Sequence, residues 1–83
     1  MNIFLRGQSS YTYSSTPSTS VAELKHFLYE REGLPVTEQV ITYGTQVLED
    51  HATLADYAIE ADSTLNAFVR LHGGWLTKLE NAI

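Results

Sequence analysis

Cysteine is absent from the chain, which excludes a disulfide framework, a thiol nucleophile and the usual thiolate zinc site. The same absence fits a protein of the cytoplasm or nucleus. Basic residues are scarce, with five Lys and Arg against ten Asp and Glu and a net charge of −5. Such a surface repels phosphate backbones, so nucleic acid is set aside as a partner. No stretch comes near eighteen apolar residues, and the opening MNIFLRGQSS holds no apolar run followed by a small-residue cleavage site. Neither membrane spanning nor secretion is expected. What is present is 83 residues at 43% hydrophobic, enough for one folded domain and too apolar for a disordered one.

Local patterning assigns most of the chain. Met1, Ile3 and Leu5 share one face of a strand over residues 1–6, with Phe4 and Arg6 on the other. Gly7 to Ser10 turns the chain, and Tyr11 to Ser15 returns as the second arm of a hairpin, with Tyr11 and Tyr13 facing inward. After the polar stretch around Pro17, Ser20 and Glu23 stand at capping-box spacing. Val21, Leu24 and Leu28 then follow at helical spacing, and Phe27 widens the apolar stripe. Gly33 and Pro35 stop the helix. So short a helix needs a sheet to lie against.

Val40 to Tyr43 reads as a third strand, Gly44 and Thr45 as a turn, and Val47 and Leu48 as a very short fourth strand. Thr53 can cap one helical turn over Ala55 to Tyr57. Ser63 to Leu71 closes the sheet, with Leu65, Ala67, Val69 and Leu71 inward and Asn66, Phe68 and Arg70 outward. The order of elements predicts an α+β roll, one layer of sheet on one main helix. His72, Gly73 and Gly74 form an exit without bulky backbone, and residues 75–83, WLTKLENAI, read as a short tail, flexible or weakly helical.

These segments together resemble ubiquitin along residues 1–74. The resemblance is carried by MNIFLR, by EREGLP at the helix end, and by YGTQVLEDHATLADYAIEADSTLNAFVRLHGG. Within the ubiquitin-like family the chain looks most similar to the domains made as fusions to ribosomal protein S30, through RGQ, VAELK, EQV and LEDHATL. The segment after Gly74 departs from that pattern, because WLTKLENAI carries one Lys and no Arg where a strongly basic extension is expected. The resemblance implies a β-grasp fold with a mixed sheet, a ubiquitin-like domain over residues 1–74 and a separate tail over 75–83.

It also implies where function lies. Gly73 and Gly74 correspond to the processing and conjugation site, where a thin backbone threads into enzymes that any Cβ would obstruct. Two glycines alone mark many turns, and only their place after Arg70, Leu71 and His72 gives them weight. Here Gly74 is in peptide linkage to Trp75, so conjugation requires cleavage first. The partner-binding patch falls on the outer sheet face and first loop, at Thr42, Phe68, Phe4, Arg70 and His72, with Val40 and with Gly7 and Gln8 beside them. Thr42 replaces a large aliphatic residue, which weakens a contact centred there by about 1–3 kcal/mol. Isolated surface apolar residues are also normal in proteins with no partner there.

Lysines are found only at Lys25 and Lys78. Arg6, Phe27, Arg31, Gln46 and Ala61 stand where ubiquitin offers linkage lysines, so homopolymeric chains are not expected. Lys25 pairs with Asp50 by resemblance, as a buried structural ion pair. His26, His51 and His72 lack close ligand spacing, and no metal or cofactor is expected. Tyr57 reads as a packed loop anchor with a hydrogen-bonded hydroxyl. Ser, His and Asp occur without a nucleophile elbow, so the chain is not read as an enzyme.

Two readings follow. One is a modifier or fusion-partner domain cut after Gly74. The other is a non-covalent ubiquitin-like interaction domain with a permanent tail. Partners are proteins: a processing protease, conjugation enzymes or ubiquitin-fold receptors, met by a monomer.

Overall fold

The computed structural model describes residues 1–69. Two strands open the chain, β1 (Asn2–Arg6) and β2 (Ser10–Ser14), followed by the helix α1 (Val21–Glu32). Then come β3 (Gln39–Tyr43), β4 (Gln46–Val47) and β5 (Thr64–Val69), with 3₁₀ turns at Val36–Glu38 and Ala55–Tyr57. The sheet order is β2-β1-β5-β3-β4. β1 and β5 run parallel at its centre while the outer pairs are antiparallel, so the sheet is mixed.

The helix forms where its ends are satisfied. Ser20 accepts a bond from the Glu23 amide at 3.2 Å, and Glu23 Oε2 accepts one from the Ser20 amide at 2.7 Å. That reciprocal pair relieves two donors the first turn leaves unmade. At the other end Gly33 takes φ 73°, and its amide donates to the Tyr29 carbonyl at 2.8 Å.

Alternation along β1 sends Ile3 and Leu5 to the helix side, where both are fully buried. Ile41 and Leu65 join them from β3 and β5, and Val21, Leu24 and Leu28 meet them from the helix. Full burial of each such side chain is worth about 1.5–3 kcal/mol. Tyr11 and Tyr13 also face the helix and stay half-buried. Phe27 closes over them, its ring edge-on to Tyr13 at 5.0 Å and to Tyr11 at 5.8 Å.

Two expectations need correction. The fourth strand is Gln46–Val47, and Leu48 leaves it to become a buried core residue whose amide bonds Ile41. Val69 lies on the inward register but is 40% exposed: β1 flanks β5 only as far as Asn66, and the strand partner of Val69 is Gln39 at the start of β3.

Candidate functional site

The outer sheet face is built by the side chains that alternate away from the core. β1 contributes Phe4 and Arg6, β5 contributes Thr64, Asn66 and Phe68, β3 contributes Val40 and Thr42, and β4 contributes Val47. Register decides which of these meet. Val40 stands directly opposite Phe68, and Thr42 opposite both Asn66 and Val47. Directly opposed Cβ atoms in a sheet lie about 4.5–5.5 Å apart, so Phe68 and Val40 form one apolar step and Asn66, Thr42 and Val47 a mixed one beside it. Phe68 is 56% exposed and Val47 55%, which leaves both available to a partner.

Phe4 does not join them. It pairs with Thr64, four residues before Phe68 along β5, or about 13 Å at ~3.3 Å per residue. The row holding Arg6 and Asn66 intervenes. A patch uniting Phe4 with Phe68 and Val40 is therefore replaced by two separate apolar points. Val47 was missed from sequence because a two-residue strand has no periodicity to assign its face. Arg70, His72, Gly73 and Gly74 lie outside the described residues.

The first loop is fixed from behind. Gly7 donates to the Ser9 carbonyl at 2.9 Å, and the Ser9 amide reaches Glu32 Oε2 at 3.1 Å, tying the loop to the end of the helix. A Cβ on Gly7 would stand 2.9 Å from Glu32 Oε1, so glycine leaves room for that carboxylate. The neighbouring Tyr11 phenol is held above its ordinary pKa, first by partial burial and then by Glu32.

Among the described residues Lys25 is the most enclosed charged group. Its Nζ donates to Asp50 Oδ1 with the lysine side chain 8% exposed. Asp50 is 54% exposed, so the pair is buried only at the lysine end, a correction to the expectation of a buried pair. Asp50 sits in the loop after β4, where its own carbonyl accepts from Ala22, and this holds it at the protein's rim. Beside Lys25 the buried Gln39 donates through Nε2 to the Lys25 carbonyl at 2.9 Å and the Leu34 carbonyl at 2.8 Å. Nothing in the strand pattern marks this glutamine, because its donors serve carbonyls outside the strand, one of them back in the helix.

Tyr57 anchors its loop, its hydroxyl accepting from the Glu49 amide at 2.8 Å. Thr53 and Asp56 bond reciprocally across the 3₁₀ turn, at 2.8 and 3.3 Å. His26 lies 3.6 Å from Glu30 on the helix and His51 3.7 Å from Glu49 in the loop. Among the described residues no three His, Cys, Asp or Glu side chains converge on one point, and no helix is long and apolar enough to cross a membrane.

Among the described residues the geometry offers an exposed sheet face suited to contact with another protein. A mixed sheet curved over one helix is the β-grasp roll. A model of the ubiquitin family matches residues 3–72, which covers nearly all of the described fold. Domains of that family are non-catalytic protein modules. The chain belongs to the ubiquitin family.

Proposed function

We propose that this chain is a ubiquitin-like modifier or fusion-partner domain, set free for conjugation by cleavage after Gly74, and that it does not build polymeric chains of itself. The observation that carries the modifier reading is the family match over residues 3–72, and the Gly73–Gly74 pair that follows it in the sequence supports cleavage there. Within the family, the RGQ, VAELK and LEDHATL segments favour kinship with the domains fused to ribosomal protein S30. The lack of chain building is supported by Lys25, the sole lysine of residues 1–74, whose amine is enclosed and held by Asp50. Partners are a processing protease, conjugation enzymes and receptors that meet Phe68, Val40 and Val47.

Incubation with a ubiquitin-type processing protease, followed by intact-mass measurement, tests the proposal. Release of WLTKLENAI with a new terminus at Gly74 supports it. An uncut chain, under conditions that process a control fusion, shifts the assignment to a non-covalent interaction domain with a permanent tail. The exposed Phe68–Val40 step favours that second reading equally, since a sheet-face contact requires no cleavage.

A further inference from the structure

The polar segment joining β2 to α1, residues 14–20, sets six hydroxyl side chains around Pro17. The structure commits half of them to backbone groups. Ser15 is 4% exposed and donates to the Met1 carbonyl at 2.9 Å, and Thr19 is 8% exposed and accepts from the Thr16 amide at 2.9 Å. Ser20 caps the helix. Of the rest, Ser14 ends β2, while Thr16 and Ser18 are exposed in the loop, their hydroxyls bonded to each other at 2.9 Å. Thr16 is also the one Ser or Thr in the chain that precedes a proline, since Pro35 follows Leu34.

An exposed threonine before a proline has the chemistry of a phosphoryl acceptor for a proline-directed protein kinase. Contact with the proline ring keeps the preceding residue in extended backbone, the conformation in which a kinase cleft holds the acceptor hydroxyl. Proline also brings no amide for the cleft to leave unpaired. Thr16 opens a turn that the Thr19 amide closes on its carbonyl at 3.0 Å. Leu54 and Ala55 donate to the Thr19 and Pro17 carbonyls at 3.0 and 2.9 Å. These bonds are given up when the turn straightens in the cleft. They hold a segment outside every helix and strand, and such segments open at far lower cost than the core.

We propose that Thr16 is a phosphorylation site that displays its phosphate to partners. The γ-phosphorus of a nucleoside triphosphate bonds to Thr16 Oγ1 as its bond to the β–γ bridging oxygen breaks. The hydroxyl proton passes to the kinase's base, and a nucleoside diphosphate leaves. The loop gains about −1.5 to −2 charge. Among the described residues no group is placed to absorb it. The α1 N-terminus is already served: Ser20 and Glu23 exchange capping bonds, and the Val21 and Ala22 amides donate to the Ala52 and Asp50 carbonyls at 2.9 and 3.0 Å. Arg6 pairs with Ser10, at the far end of the hairpin from Ser14. Arg31 lies in the last turn of α1, and Lys25 is held by Asp50. The phosphate therefore faces solvent as a mark for a partner's arginines and does not brace the fold. This site is independent of the Phe68–Val40 step and of cleavage at Gly74.

The test incubates the full chain with a mitogen-activated, proline-directed kinase and Mg-ATP, and maps the product by peptide mass spectrometry. One phosphate at Thr16 is expected, entering more slowly than in the free peptide SSTPSTS because the turn must open first. Thr16→Ser should keep the reaction. Thr16→Val and Pro17→Ala should each lower incorporation at least about 10-fold while the helix signal in circular dichroism stays unchanged. In phosphorus NMR the phosphothreonine should titrate with a midpoint of about 6, as a solvated phosphate ester does. The proposal is overturned by no incorporation at Thr16 under conditions that label a control substrate, by incorporation at another residue instead, or by undiminished labelling of Thr16→Val. A phosphate midpoint lower by a full unit would also overturn it, because that shift places a cation of the chain against the phosphate.

Discussion

Lys25 and Asp50 form an ion pair across unequal environments: the lysine side chain is 8% exposed and the aspartate 54%. The lysine has given up nearly all its water, whereas the aspartate keeps much of its own. Removing the two partners must therefore have different costs. Asp50→Ala strands a buried ammonium and should lower stability by about 2–3 kcal/mol, below the range for a pair buried at both ends. Lys25→Met fills the same space and leaves an aspartate that water can solvate, so its cost should stay under about 1.5 kcal/mol. Urea denaturation of both variants checks the order, and an equal or reversed order contradicts it.

Gln39 is the polar link between β3 and the helix end. Gln39→Met keeps the length of the side chain but removes the donors to the Lys25 and Leu34 carbonyls. Leaving two carbonyls without their donor should cost about 2–4 kcal/mol. Thermal melting of this variant beside Val40→Ala separates a lost donor from a generally weakened strand.

Phe27 completes a wall that β2 cannot build alone. Its rings meet Tyr13 and Tyr11 edge-on, an arrangement worth about 0.5–1.5 kcal/mol for each pair beyond burial. A double-mutant cycle with Tyr13→Leu and Phe27→Leu should return a coupling energy in that range. A coupling near zero would mean that the two rings contribute area and nothing more.

These three sites differ in how far the sequence discloses them. The helix is legible because Ser20, Glu23 and Gly33 each perform a local task at its ends. β1 and β5 are legible from alternation, and the turn at Ala55–Tyr57 from Thr53. The 3₁₀ turn at Val36–Glu38 is not, since three residues after a proline carry no period. Long-range register is hidden as well: Phe4 and Phe68 share a face, but only the parallel pairing of β1 with β5 shows them apart. Gln39 looks like a polar residue before a strand, and its burial follows from carbonyls that the chain brings to it. Thr42 could be placed on the outer face from sequence, but its neighbours Asn66 and Val47 could not.

Ala58 holds a left-handed backbone at φ 54° after the 3₁₀ turn, where its amide bonds the Ala55 carbonyl at 3.0 Å. An L-residue with a Cβ pays about 1–2 kcal/mol for that conformation, partly offset because glycine has more unfolded-state freedom to lose. Ala58→Gly should therefore stabilise the domain by about 0.5–1 kcal/mol, seen as a rise in Tm. A fall in Tm would show that the loop around Tyr57 relies on the alanine methyl.

The central proposal is that this ubiquitin-family domain is bound or attached as a single unit because its fold withholds Lys25, the sole lysine of residues 1–74. Amine acylation, followed by peptide mass spectrometry, measures that directly at Lys25. In the native chain Lys25 should react at least about 100-fold more slowly than in the same chain unfolded in urea, as for a group released only by opening of the structure. Reaction of native Lys25 at the unfolded rate would contradict the claim and leave the amine available as an acceptor.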